Sequence, residues 1–249
     1  MSGHSKWSTI KHKKGAKDAK RGKIFTKVIR EITVSAKLGG GDPDGNPRLR
    51  SAIILAKANN LPLDTVNRAI KKGVGGNDGV DYMEVMYEGY GPANVAVVVE
   101  ILTDNRNRTA SNIRTIFNKN HGSLGSSNSV LYMFDHLGVV EVNKPGVDED
   151  TLTEYVLEAG AEDLNTEGEM FTITAAKENF EQVKHFLENK GVVMESASLA
   201  WVAQTKTVID DMELAEKVMH FIDALEEDDD VQRVFTNFEI SDAVLEQLS

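Results

Sequence analysis

The chain contains no cysteine, which excludes disulfides and every metal site built on thiolates. It contains no run of about 18 apolar residues, so no transmembrane helix is expected. The N-terminus is basic, but no apolar stretch stands behind it, so a secretory signal is not expected either. These absences predict a soluble protein of the cytoplasm, with no membrane partner. The 249 residues are 41% hydrophobic and 27% charged, ordinary proportions for a globular protein of one large domain or two to three small ones.

Catalytic signatures are missing as well. There is no GxxxxGK[ST] phosphate loop, and Gly89-Tyr90-Gly91 runs into Pro92 without the third glycine of a dinucleotide fingerprint. A turn between two strands is the better reading of it. Asp42-Pro43-Asp44-Gly45 hints at a calcium loop, but its bidentate position falls on Ile53, so it reads as a plain turn. The six histidines have no metal-ligand spacing, and the serines of Gly125-Ser126-Ser127 lack the context of a nucleophile elbow. A nuclease needs clustered acids for metal in its basic region; here Asp18, Glu31, Asp42, Asp44, Asp64 and Asp78 are scattered. The sequence therefore predicts no enzyme, no cofactor, no metal and no small-molecule substrate.

What is present is a division of charge. Residues 1–80 carry 17 Lys/Arg against 6 Asp/Glu, a net of +11, and residues 81–249 carry 11 against 33, a net of −22. A basic module that meets a polyanion, joined to an acidic body that does not, is the function class this asymmetry favours.

Residues 1–15 are polar and basic and predict an extended or mobile arm. Residues 16–38 read as a helix with Phe25, Val28, Ile29, Ile32 and Ala36 on one face. Lys20, Lys23, Lys27 and Arg30 lie on the other, and Gly39-Gly40-Gly41 ends the helix. A second helix spans 47–60, with Asn46 as its cap and Pro47 in its first turn. A third spans 62–72, stopped by Gly73, and a glycine-rich linker follows. Strands are expected at 82–88, 93–102 and 129–134, with a helix at 106–120 between the last two. Residues 138–203 read strand, helix, strand, strand, helix, strand, the ferredoxin-like order. A helix near 211–226 and a strand near 231–237 supply what 81–134 lacks for the same topology. The expected fold is α+β: an N-terminal three-helix domain and two ferredoxin-like α/β domains, the third inserted into the second. The expected boundaries are 1–80, 81–134 plus 205–249, and 135–204.

Two sets of residues are candidates for nucleic acid. The first is the arm and helix that carry Lys6, Lys11, His12, Lys13, Lys14, Lys17, Lys20, Arg21, Lys23, Lys27 and Arg30, a dense array for neutralising phosphate. Trp7 sits among them and either stacks on an unstacked base or anchors the arm to the helical core. The second is Arg106, Arg108 and Arg114, with Asn105, Asn107 and Asn112, at the start of a helix. There the arginines either pair with phosphate or tie back to acids of their own body. The acidic run Glu226–Asp230 reads as a solvated helix end whose like charges need a cation or basic partner to come together. No helix shows an obvious base-reading set of Asn, Gln and Arg on one face, so physical chemistry alone leans towards structured RNA.

Three segments in order resemble the YebC/PmpR family along the whole chain. They are Gly3-His4-Ser5-Lys6-Trp7 with Ile10-Lys11-His12-Lys13-Lys14, Tyr87-Glu88-Gly89-Tyr90-Gly91-Pro92, and Thr103-Asp104-Asn105-Arg106-Asn107-Arg108-Thr109. The resemblance implies a helical N-terminal domain with two α/β domains. It further implies a regulator that binds DNA and controls transcription or, as in related mitochondrial translational activators, one that acts on the ribosome and relieves stalling. Its partner is then DNA or ribosomal RNA. A protein-binding adaptor without nucleic acid is the remaining alternative.

Overall fold

The computed structural model describes residues 17–75, 81–168, 170–241 and 243–244, with side chains from Gly22 onward. The first three helices are α1 (Lys17–Gly39), α2 (Pro47–Ala58) and α3 (Leu63–Gly75). The apolar stripe of α1 packs as its spacing requires: Val28, Ile32 and Ala36 are buried against Leu49, Ala52, Ala56, Val66 and Ala69. Asn46 caps α2 by accepting from the Leu49 N–H at 3.1 Å. It also donates to the carbonyls of Ser35 at 2.8 Å and Gly40 at 2.9 Å. One buried amide thus fixes the end of α1 to the start of α2. The third helix does not stop at Gly73 but runs on to Gly75. Gly73 faces α1, where a Cβ would stand 2.3 Å from the Thr33 carbonyl oxygen. The glycine there allows two backbones to meet and does not end the helix.

The rest of the chain is β1 (Met83–Tyr90), β2 (Ala96–Thr103), α4 (Arg106–Lys119), β3 (Ser123–Leu124), β4 (Phe134–Asn143), α5 (Glu149–Ala159), β5 (Asp163–Asn165), β6 (Met170–Ala176), α6 (Phe180–Asn189), β7 (Met194–Ala203), β8 (Thr207–Ile209), α7 (Met212–Glu226), β9 (Val231–Thr236) and β10 (Phe238–Ile240). Strands β4 to β7 form an antiparallel sheet in the order β5-β6-β4-β7, which is the ferredoxin-like layout. The other four-stranded sheet has the order β3-β1-β2-β9. It shares that layout but is entered by the β1–β2 hairpin, and its edge strand β9 arrives only after the whole β4–β7 unit. The fold is therefore α+β, with the third domain inserted into the second.

Strand β2 is buried on both faces, which explains its β-branched run. Val97, Val99 and Ile101 join the core under α4 and α7. Ala96 and Val98 join a second cluster with Phe134, against which Trp201 and Phe235 pack. Glu100 fastens the same junction by accepting from the Trp201 indole N–H at 3.1 Å and from Arg233 at 2.7 Å.

The strand expected over 129–134 is not formed: Leu131–Met133 is a turn of 3-10 helix, and β4 begins at Phe134. The cause is Glu88. Its buried carboxylate accepts from the backbone N–H groups of Asn128 (2.8 Å), Val130 (3.1 Å) and Leu131 (2.8 Å). Donors held by a side chain are not available to a strand ladder.

Candidate nucleic-acid interface

The acidic run is only partly solvated: Glu227 and Asp229 are exposed, but Asp230 is buried. The run closes around the basic stripe of α1 (the two segments are about 200 residues apart in sequence). Asp230 has a side chain only 5% exposed and accepts from four groups. Arg30 donates at 2.7 Å, Arg108 at 2.8 Å, the Thr109 hydroxyl at 2.6 Å and the Thr103 hydroxyl at 3.2 Å. Arg30 also donates to the carbonyls of Leu102 at 2.7 Å and Asp229 at 2.9 Å. Its guanidinium lies over the Tyr82 ring.

The end of α7 exposes backbone carbonyls with no partner in the helix, and cations are favoured there. Lys27 donates to the Glu226 carbonyl at 2.7 Å, and Lys23 to the Glu227 carbonyl at 3.0 Å. The basic face of α1 thus caps α7 from outside. Further ties run from the helical unit to the start of the body: Arg48 bridges Glu31 and Glu84, and Lys37 pairs with Asp81.

Titration follows from this packing. Burial would raise the Asp230 carboxyl, but hydrogen bonds from Arg108, Thr109 and Arg30 outweigh it and hold the group below the usual carboxylate range. Arg108 is pushed up, first by its bond to Asp230 and then by Asp104. Burial lowers Lys27, although the acids of the run act against that.

The Thr103–Thr109 segment is built for this clasp. Thr103, Arg108 and Thr109 all reach Asp230, and Asn105 caps α4 by accepting from the Arg108 N–H at 3.0 Å. Asn112 donates to Asp228 at 3.3 Å. The Tyr87–Pro92 segment is likewise structural. Glu88 pins the loop ahead of β4, and a Cβ on Gly89 would stand 2.4 Å from the Ser123 carbonyl oxygen.

The candidate residues therefore separate into three groups. Lys23, Lys27, Arg30 and Arg108 are in the clasp, although the Arg108 side chain stays 46% exposed. The physical reason is that the acidic run offers them carboxylates and helix-end carbonyls. Arg106 and Arg114 are exposed on α4. Lys6, Trp7, Lys11, His12, Lys13 and Lys14 lie outside the described residues, and for Lys17, Lys20 and Arg21 only the backbone is described. Asp230 was not among the sequence candidates. Its signal was the uncompensated acidic run itself, complementary in charge to the stripe on α1.

A basic three-helix unit clasped on an acidic body of two α/β domains is the class of protein defined here. Among the described residues no helix is long and apolar enough to cross a membrane. The model of the TACO1/YebC protein N-terminal domain matches residues 5–76, and that of the TACO1/YebC second and third domain matches residues 82–238. The chain belongs to the TACO1/YebC family. It is 53% identical to a probable transcriptional regulatory protein of Desulforapulum autotrophicum over 248 residues, all of both chains. It is also 53% identical to one of Treponema pallidum over 240 residues, 96% of this chain and 98% of the relative. A conserved hypothetical protein of Aquifex aeolicus, solved by crystallography, superposes with a TM-score of 0.83 at 48% identity, over 90% of this chain and 93% of the other.

Proposed function

We propose that this protein is a non-enzymatic regulator of gene expression that binds nucleic acid, acting in the cytoplasm as a DNA-binding transcriptional regulator. The observation that carries this reading is the charge division: a net of +11 in residues 1–80 on an acidic remainder. The name that relatives carry agrees with it. The working units are 1–80, 81–134 plus 205–249, and 135–204. Nucleic acid is met by Lys6, Lys11, His12, Lys13, Lys14, Lys17, Lys20 and Arg21, and by Arg106 and Arg114 on the body. Lys23, Lys27, Arg30 and Arg108 hold the basic unit in place.

A second reading is favoured by Trp7, since an aromatic side chain among lysines suits an unstacked base. In it the target is ribosomal RNA and the output is translation. One binding experiment tests both. The full chain is titrated onto labelled duplex DNA and onto a structured RNA between about 50 and about 200 mM salt, where several phosphate pairings cost orders of magnitude in affinity. Replacing Lys11, Lys13, Lys14 and Lys17 by Ala weakens binding and flattens the salt slope. Unchanged binding by that variant sinks the assignment of the arm.

A further inference from the structure

Helix α4 differs from its surroundings. Residues 105–134 contain no Asp or Glu, in a body that carries 33 of them over residues 81–249. The buried face of α4 is Thr109, Ile113 and Phe117. Its flank towards the clasp uses Arg108 and Asn112. What remains outward is Asn107, Ser111, Arg114, Thr115 and Asn118, all exposed. At 3.6 residues per turn these five fall within an arc of about 100°, along about 16 Å of the helix. Arg106 and Lys119 stand at its two ends.

Once the cap residue Asn105 and the clasp residues are set aside, two asparagines and an arginine are left on one face. Other arginines of the described region are engaged: Arg30, Arg48, Arg108 and Arg233 with carboxylates, Arg50 with the carbonyls of Pro43 and Asp44, and Arg68 with its own helix. Arg106 and Arg114 take no such partner among the described residues.

We propose that this outward face of α4 is a base-reading surface for the major groove of duplex DNA, a proposal that rests on the nucleic-acid reading above. Asn bidentate to adenine and Arg bidentate to guanine are the side-chain pairings that the major groove rewards. An acid-free helix face in an acidic body is complementary to a polyanion at this place alone among the described helices of the body. Duplex DNA fits better than RNA for two reasons. The face carries no aromatic side chain on which a splayed base could stack, and the major groove of A-form RNA is too narrow to admit a helix. The clasp brings the two candidate elements together. Lys23 lies on Glu227 and Asn112 on Asp228, so α1 and α4 meet the same acidic run.

The test uses the full chain and a pool of duplex DNA with a randomised centre, selected for binding and sequenced. Wild type enriches a short motif containing A and G. Asn107→Ala with Asn118→Ala, and separately Arg114→Ala, each lower affinity for the selected site by about 5- to 150-fold for every bidentate pairing removed. They relax preference at the matching positions, and they weaken unselected duplex less than the selected site. The arm variant instead weakens all sequences together. These α4 side chains are exposed, and an unchanged circular dichroism spectrum verifies the fold. If both α4 variants keep the motif and the affinity, or if wild type binds duplex but enriches no sequence, base reading by α4 is overturned and the nucleic-acid reading stands. If wild type binds a hairpin RNA and not the duplex pool, the assignment to DNA is overturned. If it binds neither, the proposed function itself fails.

Discussion

Replacing Asp230 by Ala removes the centre of the clasp, and the geometry sets the size of the effect. Breaking a buried ion pair by deleting one partner costs about 3–5 kcal/mol when the other charge is stranded. Arg30 is not wholly stranded, because it keeps the carbonyls of Leu102 and Asp229. Arg108 keeps Asp104 at 2.8 Å and has a side chain 46% exposed. Thr109 keeps the Asn105 carbonyl. The expected loss is therefore nearer ~2–3 kcal/mol. For a chain of this size that is a fall in Tm of about 4–12 °C, read by thermal unfolding at neutral pH. Asp104→Ala is the control. It removes one exposed pairing and should cost about 1 kcal/mol or less.

The pH dependence carries a second check on the same residue. The Asp230 carboxyl is held below its ordinary value, so its contribution is fully present above the unfolded carboxylate pKa of about 3.9 and is lost as pH falls through the depressed folded value. Wild type and Asp230→Ala should therefore differ by a constant amount from neutral pH down to about pH 5 and converge in strong acid. A variant that melts within about 1 °C of wild type at neutral pH refutes the clasp as a source of stability.

Other outcomes follow from the same geometry. Glu88→Ala leaves three backbone donors without their acceptor and should cost about 3 kcal/mol, with faster hydrogen exchange at Asn128, Val130 and Leu131; exchange at the wild-type rate would contradict the account of that loop. His136 stacks on Trp201 at 4.3 Å. Its pKa is held below the ordinary value, first by burial and then by the nearby charges of Lys177 and Arg233. Protonation is thus disfavoured in the folded state, and stability should fall as pH drops below about 6.5. His136→Phe should flatten that part of the profile in urea unfolding, and an unaltered profile would assign the slope elsewhere.

Local chemistry was legible in the sequence. Asn46 and Pro47 mark the start of α2, the Phe25–Ala36 spacing marks the core face of α1, and the order of elements over 138–203 gives the ferredoxin-like sheet. The insertion was legible too, because the tail supplied a helix and a strand that the preceding segment lacked. Three-residue strands such as β8 and β10 were missed, since their parallel pairing depends on tertiary packing and leaves no periodic trace. The 129–134 segment was misread because its backbone donors go to Glu88, some 40 residues earlier.

The candidate site was half legible for a related reason. Composition shows that α1 and α4 are basic, but not which charges are satisfied within the protein. The acidic run and the basic stripe were each visible, and only the fold brings them together. The same pairing conceals the outward face of α4 in the sequence. Asn105, Arg108 and Asn112 read as part of one patch with Arg106 and Arg114 until their caps and carboxylates are seen.

The proposed function is regulation through nucleic-acid binding, with DNA as the first target. The most direct measurement is crosslinking in living cells, with DNA and RNA sequenced from the same purified complexes and a strain carrying the Lys11, Lys13, Lys14 and Lys17 to Ala variant as reference. Enrichment at discrete promoter segments that disappears in the variant is the expected result. Enrichment confined to ribosomal RNA would move the function to translation. Recovery of neither nucleic acid above the variant would contradict the account.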